Sequence, residues 1–180
     1  IIKKVTIPTI FKKSSEVLEK YIAEFSPNIV ICVGQAGGRD KITVERVAIN
    51  IDDARIPDND NNSPIDEKIR QENAYFSSLP IKAIVETLIN NNIPAAISNT
   101  AGTFVCNHIM YESLYLANTK YTDIETGFIH IPFIKEQIKD KPNTPFMDLE
   151  IIISALKYII VTSAEYYKKN DKRITGGKEH

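Results

Sequence analysis

The sequence predicts an α/β domain built on a mainly parallel or mixed central sheet with helices on both faces. Three observations carry that reading. Segments of helical period alternate with short apolar runs, at least one of those runs is continuous, as in strands covered on both sides, and Gly, Pro and Asn clusters mark the joins. With 180 residues, 43% of them hydrophobic and 25% charged, the chain is expected to fold as a single domain over 1–180 with a sizeable core.

Each element has its own signal. Val17, Leu18, Tyr21, Ile22 and Phe25 recur at helical spacing, after a Ser14-Ser15 pair able to cap the helix and before Ser26-Pro27, which stops it. The apolar run from Ile29 to Val33 predicts a buried strand that ends in the flexible turn Gly34-Gln35-Ala36-Gly37-Gly38-Arg39. Ile42 to Ile51 alternates like a second strand, and from Asp52 to Asn73 the chain turns polar and Asx-rich, with Pro57 and Pro64. That long excursion reads either as a functional or mobile loop or as a solvated insertion.

Pro80 opens an amphipathic helix with Ile81, Ile84, Val85, Leu88 and Ile89 on one stripe, closed by Asn90 to Asn92 and Pro94. A short strand, Ala95 to Ser98, follows. Thr103 to Ala117 predicts a helix apolar on most sides, Gly127 to Ile131 another strand, and Leu149, Ile152, Ile153, Leu156 and Ile159 a last helix. The tail over 171–180, with Gly176-Gly177, is expected to fray, and His180 to stand in solvent.

Composition narrows the partners. A formal net charge of -1 supplies no basic stripe for phosphates, so neither nucleic acid nor an anionic membrane is expected, and a neutral or small substrate fits better. No apolar run reaches the length of a membrane span, and Ile1-Ile2-Lys3-Lys4 does not open like a secretory signal. Cys32 and Cys106 are too few for a disulfide framework and have no zinc spacing, so no metal and no cofactor is expected, and a reducing cytoplasm is the simplest compartment.

Cys32 lies inside an apolar run, where a free cysteine behaves as a small buried hydrophobe. Cys106 follows Gly102 and Thr103 at the start of a helix, where unpaired N–H groups and the dipole favour a thiolate; equally, Phe104 and Val105 could draw it into the core. A thiol nucleophile needs a base. His108, two residues on, points to another side of the helix, whereas His130 lies near the carboxyl end of a strand, where α/β sites assemble. Glu45 shares its parity with Val47, Ile49 and Ile51, the apolar face of its strand. A carboxylate turned inward needs a partner, either an imidazole N–H or one of Arg39, Arg46 and Arg55. The Gly34 to Gly38 turn lacks both phosphate-loop patterns, but its glycines would let a backbone pass close to a small ligand, with Gln35 presenting an amide.

Four blocks, "VGQAGGRDKITVERVAIN", "DARIPDND", "AGTFVCNH" and "GFIHIPFI", resemble those of pyroglutamyl peptidase I, the pyrrolidone carboxyl peptidases, in the same order over most of the chain. The resemblance implies a cysteine peptidase that removes an N-terminal pyroglutamyl residue, with a phosphorylase/hydrolase-like α/β fold and a cytoplasmic homotetramer. It places the nucleophile on Cys106, the base on His130 and the orienting acid on Glu45. It also matches Gln35, Ile56, Phe104 and Val105 to the pocket for the lactam ring, and Arg55 to an arginine near the reacting centre. The expected partners are peptides bearing an N-terminal pyroglutamyl group. Family members open with a strand and a Gly-Phe-x-Pro-Phe-type segment that this sequence lacks, so the native N-terminal strand and loop are expected to be missing from it. Two other readings stay open: a nucleosidase or phosphorylase-like enzyme of the same fold, and a binding domain that kept the fold without catalysis.

Overall fold

The computed structural model describes residues 1–177. Its elements are α1 (Lys13–Phe25), β1 (Ile29–Gln35), β2 (Ile42–Glu45), β3 (Val47–Ile49), β4 (Ala74–Phe76), α2 (Ile81–Asn90), β5 (Ala95–Ser98), α3 (Val105–Thr119), β6 (Glu125–Ile131) and α4 (Leu149–Tyr166), with a short 3-10 turn at Lys135–Ile138. Four strands form a mixed sheet in the order β1-β6-β2-β5. β1 runs parallel to β6 and β2 parallel to β5, while β2 and β6 are antiparallel. No described helix is long and apolar enough to cross a membrane.

The sheet separates two apolar clusters. On one side Ile42, Val44, Ile97 and Ile129 meet Ile84 and Leu88 of α2 and Ile152, Ala155 and Ile159 of α4. On the other, Phe128 meets Leu18 and Ile22 of α1 and Ile109, Met110 and Leu114 of α3. Successive strand residues point to opposite faces, so Thr43 and Glu45 on β2, Cys32 and Gly34 on β1, and Phe128 and His130 on β6 all turn toward α3. That parity sets up the site.

The alternating stretch Ile42 to Ile51 is not one strand. It breaks at Arg46, whose N–H donates to Ser98 O at 2.8 Å, and β3 leaves the main sheet to pair with β4 in a separate two-stranded ribbon. β4, three residues long, is too short to announce itself by periodicity, and the sequence reading missed it. Glu45 is buried as expected, but the parity shared with Val47 and Ile49 is not the reason, because the alternation resets at Arg46. In α1 the residue at the N-cap is Lys12, at φ 58°, rather than a serine, while Ser26 ends the helix in the left-handed conformation and donates its N–H to Ile22 O.

The 50–73 excursion is tied down by its own polar atoms, which the solvated reading did not anticipate. Ala54 N donates to Pro64 O at 2.9 Å, Asp52 and Glu67 form a bridge, and the Asn50 side-chain oxygen accepts from Ile69 N (2.8 Å) and Arg70 N (2.7 Å). Asp58 accepts the N–H groups of Phe11, Asp60 and Asn62, each at 2.9 Å, together with the Asn62 amide. Desolvation alone would raise the Asp58 carboxyl, but these hydrogen bonds from Asn62, Phe11 and Asp60 outweigh it and hold the group down to about 2.

The tail expected to fray is instead fastened at Asp171, Lys172 and Gly176. Pro80 cannot cap α2 with its side chain; the N–H groups of Lys82 and Ala83 donate to the Asp171 carboxylate at 2.9 and 3.0 Å. Lys172 pairs with Glu86, and Arg46 reaches Gly176 O. His180 lies outside the described residues.

Asp171→Ala should therefore cost about 1 kcal/mol of stability, the usual effect of losing a helix N-cap acceptor, seen in urea melts as a lower midpoint at unchanged slope. For Asp58 the folded value of about 2 lies below that of an unfolded aspartate. Its contribution is thus present above about pH 4 and is lost as pH falls through about 2. The melting-temperature gap between wild type and Asp58→Asn should be wide at pH 6 and narrow toward pH 2; a constant gap would contradict this assignment.

Candidate active site

The site forms where three segments converge on the α3 side of the sheet. β6 supplies His130, 4% exposed, and β2 supplies Glu45, with no exposed surface. Because β2 runs against β6, Thr43 stands opposite His130 and Glu45 lies on the diagonal, a separation that long side chains cross. Nδ1 of His130 lies 2.7 Å from Oε1 of Glu45. The carboxylate only accepts, so Nδ1 carries the hydrogen and Nε2 is left to exchange a proton. The two meet through antiparallel register rather than at a shared carboxyl edge of parallel strands.

Cys106 stands in the first turn of α3, after Phe104 in extended conformation at the N-cap. The helical ladder begins with His108 N donating to Phe104 O at 3.1 Å, so the N–H groups of Val105, Cys106 and Asn107 lie ahead of it. Gly102, at φ +80°, takes the left-handed conformation that this approach to the helix requires. Across the gap lies Gly34. A Cβ built there would stand 3.1 Å from Cys106 Sγ and 2.7 Å from the Phe128 ring. Gly34 is also the register partner of His130. Only a residue without a side chain lets the sulfur and the aromatic ring approach β1 beside the histidine.

The electrostatics are those of an enclosed thiol. Burial first, and the Glu45 charge second, push the Cys106 thiol up to about 11, with Arg39 opposing them. The helix end therefore does not hold a resting thiolate against desolvation. Cys32 is pushed further, to about 12, by burial above all.

Both partners the sequence offered for Glu45 are used. Oε1 accepts from His130 and also from Arg39, at 2.6 Å, while Arg46 and Arg55 are engaged elsewhere or exposed. His108 serves the scaffold. Its Nδ1 lies 2.8 Å from Asp52 Oδ2, and its Nε2 accepts the Lys12 N–H at 3.2 Å, which fastens α3 to the long loop and to α1.

The pocket residues are brought together unequally. Phe104 is half-buried, edge-to-face with Phe11 at 5.3 Å between centroids. Val105, 5% exposed, is committed to packing. Arg55 and Ile56 stand exposed, Ile56 at 64%. Their loop is nevertheless docked onto the segment that enters α3, since Asp53 N donates to Thr103 O at 2.9 Å and Thr103 Oγ1 to Asp53 O at 2.7 Å. The Gln35 amide is engaged with Gln137, donating to its Oε1 at 2.7 Å and accepting from its Nε2 at 3.0 Å. Two glycines of the 34–38 turn are used for packing: a Cβ on Gly34 would meet the Phe128 ring, and the space of one on Gly37 is filled by the Phe133 ring, 2.5 Å away, while Gly38 supplies the positive φ. That turn is a close-packed corner and not a phosphate cradle.

One contributor escaped the sequence reading. Asn107, fully buried next to Cys106, accepts Ile49 N at 3.0 Å and donates to Ile49 O and Ile51 O at 2.9 and 3.0 Å. An amide in an otherwise apolar helix turn was the available signal.

Comparison with known proteins identifies the family. The family model described as pyroglutamyl peptidase matches residues 1–166. A pyrrolidone-carboxylate peptidase of Clostridium perfringens (strain SM101 / Type A) is 54% identical over 176 residues, spanning 97% of this chain and 82% of that protein. One of Streptococcus pyogenes serotype M12 (strain MGAS2096) is 50% identical over 181 residues, spanning 99% and 84%. Among solved structures, pyroglutamyl peptidase I from Bacillus amyloliquefaciens superposes with a TM-score of 0.88 at 48% identity, covering 92% of this chain and 80% of that one. The pyrrolidone carboxyl peptidase from Thermococcus litoralis gives 0.90 at 40% identity, covering 94% and 81%. With a family model matched over nearly its whole described length, and a thiol, an imidazole and a carboxylate gathered on one face of its sheet, the chain belongs to the pyroglutamyl peptidase family.

Proposed function

We propose that this chain is a cysteine peptidase that hydrolyses the bond following an N-terminal pyroglutamyl residue, with Cys106 as nucleophile, His130 as base and then acid, and Glu45 as the group that orients His130. The observation that carries it is the arrangement of a thiol at a helix mouth, over a glycine, beside a buried imidazole–carboxylate pair at 2.7 Å, in a chain of this family.

The chemistry follows from the atoms available. Cys106 rests as a thiol, pushed up to about 11, so the nucleophile is made in the act of attack: Nε2 of His130 takes the proton as the sulfur bonds to the pyroglutamyl carbonyl carbon. The oxyanion is received by N–H groups at the start of α3, where a donor of this kind is worth on the order of 10²–10³ in rate. The imidazolium returns its proton to the nitrogen as the C–N bond breaks, releasing the shortened peptide and leaving a thioester. Water, losing a proton to His130, then adds to the thioester, and the C–S bond breaks to free pyroglutamate and the thiol. Glu45 holds the Nδ1 hydrogen throughout and stabilises the imidazolium.

A pyroglutamyl end carries no ammonium, so its pocket needs apolar walls and an amide partner rather than a carboxylate. Phe104, Val105 and Ile56 are the proposed walls, Gln35 the amide and Arg55 a neighbour of the reacting centre. Ile56 would gain its apolar contact only with a substrate against it, and Gln35 would exchange Gln137 for the lactam edge. Cytoplasmic residence and a homotetramer, as the resemblance implies, belong to the same proposal.

Turnover of a fluorogenic pyroglutamyl amide should exceed that of the matching prolyl and glutamyl amides by at least about 10²-fold, because a site built to hydrogen-bond a lactam rejects analogues that lack it; equal turnover of the three would overturn the specificity. Cys106→Ala should abolish hydrolysis, and His130→Ala should lower kcat by roughly 10²–10⁴-fold. Undiminished activity in Cys106→Ala would remove the nucleophile from the scheme.

A further inference from the structure

We infer that Arg39 is a positioning residue of the catalytic centre: its guanidinium holds the Glu45 carboxylate toward His130 and ties down the loop leading into Cys106. This rests on the roles proposed above for Cys106, His130 and Glu45.

The side chain joins three segments. Nη1 donates to Glu45 Oε1 at 2.6 Å and to Thr43 Oγ1, and Nη2 to Thr100 O at 3.2 Å, in the stretch that runs into α3. The turn before it makes that reach possible. Gly37 is pressed against the Phe133 ring and Gly38 sits at φ +89°, which folds the chain back so that Arg39 covers the inward face of β2. Neighbouring Asp40 is occupied by Lys41 at 3.4 Å and is not part of the cluster.

Glu45 needs this cation. It has no exposed surface, Oε2 has no hydrogen-bond partner, and Oε1 is held by His130 and Arg39, with Thr43 Oγ1 at 3.5 Å. A neutral imidazole alone would leave a buried carboxylate uncompensated, which favours its escape toward solvent and away from His130. The thiol feels the same balance, since Glu45 opposes its ionisation and Arg39 favours it. Arg39 is 25% exposed at its side chain, so one side of it meets solvent. Lysine would keep the charge but not the fork that reaches Thr100 and Glu45 together.

The test compares wild type, Arg39→Met and Arg39→Lys by the pH dependence of iodoacetamide alkylation at Cys106, with Cys32 as internal reference, and by kcat, KM and thermal melting. Losing the cation should move the Arg39→Met alkylation profile to higher pH by about one unit. Its kcat should fall roughly 10- to 100-fold with KM changed far less, and Arg39→Lys should recover part of both. A profile that superimposes on wild type in Arg39→Met, or a loss carried by melting temperature or KM alone, would overturn the inference. Alkylation needs no substrate, so a failure to cleave pyroglutamyl amides leaves this readout intact; a wild-type Cys106 no more reactive than Cys32 would overturn both readings.

Discussion

A carboxylate with no exposed surface, at the end of a four-residue strand, is held by an imidazole on one side and a guanidinium on the other. Much of the site is arranged around keeping that charge buried and paired. The antiparallel join of β2 and β6 puts His130 on the diagonal. The two-glycine turn brings Arg39 back from the other direction. The α3 helix closes the cluster from above, delivering the thiol against a strand that has been stripped to glycine at the point of contact. A buried ion pair of this kind is poor evidence of stability; in the proposed mechanism its use is to keep one imidazole nitrogen occupied so that the other is available.

The parts of the fold visible in the sequence were those where a single local pattern sufficed. The apolar run of β1, the stripe of α2 and the helix after Gly102 have the length and period to declare themselves, and Cys106 and His130 were singled out by position on such elements. Glu45 was singled out through an alternation that the structure breaks at Arg46; it is buried beside His130, but for a reason other than that parity. Long-range facts were harder to see. Arg39 stood among three arginines of equal claim, and only tertiary contact selects it. β4 pairs with a strand more than twenty residues upstream, and the loop from Asp52 to Asn73 is ordered by contacts that range from Asp58 with Asn62, four residues apart, to Asp58 with Phe11, 47 apart. Asp171 caps α2 from 88 and 89 residues downstream, so a tail that reads as loose is in fact engaged.

The loop and the nucleophile are mechanically joined through small polar contacts. Asn107 serves the 49–51 backbone as a strand neighbour would, Thr103 and Asp53 exchange two hydrogen bonds, and His108 grips Asp52 on the far side of the same helix turn. Residues flanking Cys106 on either side are thereby attached to the loop that carries Arg55 and Ile56. The arrangement gives the exposed substrate-facing candidates a fixed anchor a few residues away.

β2 carries two duties on alternate residues. Ile42 and Val44 fill the α2/α4 core, and Thr43 and Glu45 face the chemistry. A one-residue slip would exchange the two sets, sending a carboxylate into the hydrocarbon interior and leaving isoleucine and valine to face the imidazole. The same error that would misplace the acid would also forfeit the burial of two of the most enclosed side chains in the molecule. Proofreading of the active centre is thus delegated to the hydrophobic core: a chain that assembles the wrong register loses its stability before it can present a wrong site.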